Sequence, residues 1–143
     1  MTGPPAPAKV LLVDDDPRQV EGLAGRLERH GFLPFVLRDG KALAAWLGSE
    51  PADLIVLDQQ LPEENGLSVY RKLKQEGLLH EGTPVVLLSG LLESQDIVAA
   101  FDEGIWDIVA KPADPLALVA RLRAILHRSR RLRDALEQAG LKR

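Results

Sequence analysis

An α/β fold, built on a five-stranded parallel sheet with helices on both faces, is the architecture this sequence predicts. Two observations carry it. Short unbroken aliphatic runs, the pattern of strands buried on both faces, recur along the chain, and segments with apolar residues at helical spacing lie between them. That alternation is the mark of strand-helix-strand units joined by right-handed crossovers.

The first run is Val10-Leu11-Leu12-Val13, which stops at Asp14-Asp15-Asp16-Pro17. Proline is tolerated in the first turn of a helix, and Val20, Leu23, Ala24 and Leu27 follow at helical spacing until Gly31. Residues 32–37 read as the second strand and 41–47 as a short helix ending at Gly48. Asp53 to Leu57 is a third strand that stops at Asp58, and a helix running to about Glu76 carries Val69, Tyr70 and Leu73 as its apolar stripe. Pro84 to Leu88 is the fourth strand. A helix over residues 94–102 is expected to pack through Ile97, Val98 and Phe101. Trp106 to Ala110 forms the fifth strand before Lys111-Pro112, and a last helix begins near Asp114-Pro115.

Composition narrows the function classes. With 143 residues and 45% hydrophobic content, the chain fits one globular domain. Its 18 basic and 21 acidic residues give a net charge of -3, so no global charge attracts nucleic acid or anionic membranes. There is no cysteine, which removes thiol chemistry and fits a reducing, cytoplasmic setting. No apolar run approaches the roughly 20 residues that span a bilayer. Residues 1–8 lack a basic, then apolar, signal-peptide pattern and read as a flexible leader.

In open parallel sheets, ligands sit outside the carboxyl ends of the strands. The residues placed there are Asp14 to Asp16, Asp58, Ser89 with Gly90, and Lys111 with Pro112. Carboxylates converging on one cleft repel one another unless a cation neutralises them. Mg²⁺, which takes a few carboxylate oxygens, retained waters and a phosphate oxygen, suits this set better than a metal that needs imidazole or thiolate. Asp58 is then free to act as nucleophile and form an acyl phosphate. Lys111 supplies a point charge and Ser89 a hydroxyl donor. Each residue also has a plain structural reading: Asp16 as a helix cap, Asp58 as a loop acid, Ser89 as a turn residue, Lys111 as a solvated lysine. Their joint placement at strand ends favours the functional one.

From residue 9 to about residue 128 the pattern resembles the receiver domain of two-component response regulators. Leu11 to Pro17, Asp53 to Pro62 with Asn65-Gly66, Pro84 to Gly90, and Lys111-Pro112 look like the family's four motifs in order. The resemblance implies a flavodoxin-like (βα)5 three-layer sandwich of strand order 2-1-3-4-5. It also implies Mg²⁺ held by Asp14, Asp15, Asp58 and the backbone carbonyl of Gln60. Asp58 stands at the phosphoacceptor position, Ser89 at the switch hydroxyl, and Lys111 at the family lysine, before a cis bond to Pro112. The implied donor is a phosphohistidine on a sensor histidine kinase or phosphotransfer protein. The implied role is a phosphoacceptor switch with self-catalysed transfer and slow autodephosphorylation, not an enzyme acting on external substrates.

Two departures from the pattern stand out. Ile108 occupies the place of a Tyr or Phe that swings inward in the family, and an aliphatic side chain has no ring to rotate. Trp106, two residues earlier on the expected strand, should share its face and reads as a surface or interface aromatic, not a substitute switch. Gln60 and Leu91 occupy positions that modulate phosphate lifetime in the family.

In the last helix Leu118, Leu122, Ile125, Ser129, Leu132, Leu136 and Ala139 recur at heptad spacing, with no breaker before Gly140. Residues 129–143 therefore read as a helical extension: a solvated over-length helix, a dimerising coiled coil, or a link to an output domain. Asp107 and Arg121 resemble one pair of the family's dimer face, made by the fourth helix, fifth strand and last helix, so the resemblance implies a second homodimer mode, weakened by Ala117 in place of an acid often found there. No helix-turn-helix follows, so direct DNA reading is not expected. Two other functions compete with the switch. One is a phosphate-independent interaction module; the other is a Mg²⁺-dependent phosphohydrolase, which has Gln60 where a general acid would stand.

Overall fold

The computed structural model describes residues 6–80, 82–90 and 92–140. The strands are β1 (Ala8–Val13), β2 (Phe32–Leu37), β3 (Leu54–Asp58), β4 (Val85–Ser89) and β5 (Asp107–Ala110). They alternate with α1 (Pro17–Arg29), α2 (Gly40–Ser49), α3 (Gly66–Gln75), α4 (Ser94–Asp102) and α5 (Pro115–Gln138). All pairings are parallel and the order is β2-β1-β3-β4-β5, the flavodoxin-like arrangement expected. Among the described residues no helix is long and apolar enough to cross a membrane.

The sheet separates two cores, which is why its central strands read as continuous apolar runs. Val10, Leu12, Leu54, Val56, Val86 and Leu88 point into a layer shared with α1 and α5. Their alternates Leu11, Val13, Ile55, Leu57, Val85 and Leu87 point into the layer of α2, α3 and α4. Side-chain caps fix where helices start. Asp16 accepts from the Arg18 amide at 3.0 Å, Asp39 from Ala42 at 2.8 Å and Asn65 from Ser68 at 2.8 Å.

Three expectations need correction. The first strand begins at Ala8, paired with Phe32, inside the stretch read as leader; residues 1–5 of that leader lie outside the described residues. In α4 the buried residue is Ala100, whereas Val98 and Phe101 are exposed. Five consecutive apolar residues, Ile97 to Phe101, leave the inward face undetermined by periodicity, and the small side chain is the one that fits against the sheet. Trp106 and Ile108 do not share a face: Trp106 packs with Val109 on the α1/α5 side and Ile108 on the α2/α3/α4 side. Trp106 precedes β5, so strand alternation does not reach it.

The end of α4 is fastened to α3. The Tyr70 hydroxyl donates to the Glu103 carbonyl at 2.9 Å, and the Arg71 guanidinium grips the Glu103 carboxylate with two hydrogen bonds. Gly104, at φ 112°, is needed here, since a Cβ would sit 2.6 Å from the Tyr70 hydroxyl.

The last helix runs unbroken to Gln138, and its first four heptad positions, Leu118, Leu122, Ile125 and Ser129, are buried against the protein's own core. The Ser129 hydroxyl donates to the buried Gly82 carbonyl at 2.8 Å and is the lowest of these anchors. Ser129→Ala leaves that carbonyl without its donor. The expected loss is about 1–3 kcal/mol of unfolding free energy, read from urea denaturation midpoints at unchanged slope.

Candidate functional site

The carboxyl ends of β1, β3, β4 and β5 meet at one edge of the sheet. Asp58 ends β3 and is 3% exposed; Asp14, just past β1, is 8% exposed; Ser89 ends β4 and is 4% exposed. Lys111, just past β5, reaches across to Asp58 with Nζ 2.8 Å from Oδ2. Its backbone amide donates to the Ser89 carbonyl at 2.8 Å, which fixes the root of the side chain, and the peptide bond to Pro112 is cis. Asp58 Oδ1 accepts from the Gln60 amide at 3.1 Å, so both carboxylate oxygens are engaged.

The turn after β3 is built around the same aspartate. The Gln59 amide donates to the Leu88 carbonyl at 2.8 Å, and the Gln59 side-chain oxygen accepts from the Leu67 amide at 3.0 Å. Gly66 lies so close that a Cβ there would collide with the Asp58 carbonyl oxygen. Sequence reading noted Gly66 without giving it this task and missed Gln59. A glycine directly after the Asn65 cap, at the first position of a helix, is the signal that marks such a close approach.

Electrostatics sets what the site demands. Burial pushes the Asp14 carboxyl up from 3.8 to about 6. The Asp16 amide, which donates to Asp14 Oδ1 at 2.9 Å, pulls the other way; the neighbouring Asp58 carboxylate pushes up again, and Lys111 opposes it. One lysine therefore faces two buried acids, leaving a demand for a further cation. Asp15 is exposed at the mouth, and Gln60 is exposed beyond Asp58. Among the described residues, no three His, Cys, Asp or Glu side chains close a complete metal cage. The donors are instead few, hard and oxygen-based, which fits an ion that keeps several waters, as Mg²⁺ does. The Ser89 hydroxyl is buried with no hydrogen-bond partner among the described residues. Leu91 lies outside them. A cleft of about 760 Å³ opens beside Lys111, between Gln19 and Leu23 of α1 and Ala113 and Pro115 at the start of α5.

A parallel α/β sheet with acids, a hydroxyl and a lysine at its carboxyl edge defines a phosphoryl-handling signalling domain, and comparison with known proteins agrees. Residues 10–123 match the family described as the response regulator receiver domain. The DNA-binding response regulator MtrA of Mycolicibacterium smegmatis is 40% identical over 122 residues, which cover 85% of this chain and 51% of MtrA. The transcriptional activator protein PfeR of Pseudomonas aeruginosa is 39% identical over 88% of this chain and 40% of PfeR. Among solved structures, the Francisella response regulator 1452 receiver domain superposes with a TM-score of 0.77 at 27% identity, covering 85% of this chain and 98% of that one. The chain belongs to the receiver-domain family of two-component response regulators, whose members are phosphoacceptor switches. It spans about half the length of the curated relatives it matches.

Proposed function

We propose that Asp58 accepts the phosphoryl group, from a phosphohistidine on a sensor histidine kinase or phosphotransfer partner. The observation that carries this is a buried aspartate at the end of the central strand, with Lys111 Nζ at 2.8 Å and Asp14 beside it. An Asp58 carboxylate oxygen attacks phosphorus, the P–N bond of the donor breaks, and the imidazole leaves with that electron pair. Lys111 is placed to hold a phosphoryl oxygen as charge moves, and the unpartnered Ser89 hydroxyl to donate to another. Asp14, Asp15, Asp58 and the Gln60 carbonyl are the residues that would hold Mg²⁺, which when bound offsets charge between carboxylates and phosphate. The cleft between α1 and the start of α5 leaves the partner room to approach.

The phosphorylated domain signals by a change of conformation or of oligomeric state, in a cytoplasmic setting, and slowly hydrolyses its own acyl phosphate. Ile108, half-buried in the α2/α3/α4 layer, replaces the aromatic relay, so the signal passes without a ring rotation. The receiver runs from Ala8, where β1 begins, to Ser129, the last α5 residue anchored in its core, and α5 beyond Ser129 serves as an extension. The test is intact-mass measurement after incubation with Mg²⁺ and a small phosphodonor. Wild type gains about 80 Da, one phosphoryl group in place of a proton, and Asp58→Ala gains nothing. Donor hydrolysis without an adduct would instead mark a phosphohydrolase, and neither adduct nor hydrolysis a phosphate-independent interaction module.

A further inference from the structure

Two features of α1 are left unused by the phosphoacceptor chemistry. The first is Gly22, in the middle of the helix. Glycine is among the poorest residues for a helix interior, and here neither backbone nor packing calls for it: its φ is not positive, and a Cβ would meet nothing within 4 Å. The second is the pair Arg26 and Arg29, both exposed and, among the described residues, without an ion-pair partner. Basic side chains suit the last turn of a helix, which accounts for their charge but not for what they face.

Gly22 and both arginines line one groove, the cleft of about 760 Å³ between α1 and the start of α5. Its floor belongs to the core. Leu12, Val56 and Leu88 of the central strands lie beneath it, and the buried Val20 and Leu118 belong to the helices on either side. Protein interiors are close-packed, and an apolar recess with a few polar groups at one end is the common form of a small-molecule site. At Gly22 the recess stays open where any other residue would place a side chain. Charge along it is uneven. Lys111, at the end nearest the phosphoacceptor, is already held by Asp58 at 2.8 Å, whereas Arg26 and Arg29 hold no acid. From Gln19 to Arg29 the helix advances about 15 Å, the span of an extended medium-length hydrocarbon chain.

We propose that this groove binds an amphipathic carboxylate of the fatty-acid class. The hydrocarbon chain lies against Val20, Leu23 and Leu118, in the room left by Gly22, and the carboxylate pairs with Arg26 and Arg29. The planar donor fork of arginine matches a carboxylate in geometry as well as in charge. A bound chain would narrow the approach to Asp58, a consequence that rests on the function proposed above, whereas binding itself does not.

Calorimetric titration of the unphosphorylated 143-residue chain with decanoate, below its micelle concentration and in parallel with decanol, tests this. Decanoate should saturate at one molecule per chain, and decanol, which has the same carbon chain and no charge, should bind roughly tenfold more weakly. Gly22→Leu fills the recess and should raise the Kd for decanoate by about tenfold or more, while its better helix propensity raises the urea midpoint. Loss of binding in a more stable variant is not misfolding. Arg26→Gln combined with Arg29→Gln, both at exposed positions, should bring decanoate down to the affinity of decanol. The absence of saturable decanoate binding overturns the proposal. So does a Gly22→Leu protein that binds decanoate as wild type does, and so does a wild type that binds decanoate and decanol equally.

Discussion

Lys111→Ala is expected to slow phosphoryl uptake by roughly 10²-fold while tightening Mg²⁺ binding by roughly tenfold. The two effects have opposite signs because the ammonium plays opposite parts in the two events. At rest its Nζ lies 2.8 Å from Asp58 Oδ2, where a fixed positive charge repels a divalent ion seeking the same carboxylates. During transfer the same charge is already positioned for the oxygens of the moving phosphoryl group, and little reorganisation is needed. The side chain is mostly buried against Asp58, so water screens the interaction far less than at an open surface. Intact-mass time courses with a small phosphodonor give the rate, and calorimetric titration with Mg²⁺ gives the affinity. A variant in which both fall together would mean that Lys111 merely holds the edge of the sheet in shape, and the role given to it here would be lost.

How much of this was legible in the sequence depends on how local the cause is. The strands were readable because burial on both faces forces unbroken aliphatic runs such as Leu54 to Leu57, and the site was readable because its members stand directly after those runs. What escaped depends on contacts between distant segments. The Ser129 hydroxyl looks like a polar flaw in a heptad until Gly82, 47 residues earlier, is placed beneath it. The fastening of Glu103 by Tyr70 and Arg71 likewise crosses 33 and 32 residues. In α4 the difficulty was excess, since adjacent apolar residues outnumber the positions that a short helix at the flank of a sheet can bury. The raised Asp14 carboxyl could be anticipated in sign from neighbouring acids, but its leading cause is burial, a property of the folded chain.

That burial yields the second large prediction: Asp14→Asn should stabilise the metal-free protein at neutral pH by about 2 kcal/mol. Asp14 titrates near 3.8 when unfolded and at about 6 when folded. Between those values the folded state keeps a proton that the unfolded state has released, so stability falls as pH rises from about 4 to about 6 and stays low above that. At 1.36 kcal/mol per unit, the full cost of ionising Asp14 in place is on the order of 3 kcal/mol. An amide removes the charge yet keeps the oxygen that accepts from the Asp16 amide, so most of that cost should be recovered. Urea denaturation in a chelator should show wild-type stability declining across this pH interval and a variant curve that is nearly flat. Adding Mg²⁺ should raise the wild type toward the variant and leave the variant almost unmoved, because the carboxylate that destabilises the empty site is the one that would draw the ion into it. An Asp14→Asn protein no more stable than wild type at neutral pH would mean that the buried acids are already compensated, and the demand for a further cation would lose its physical basis.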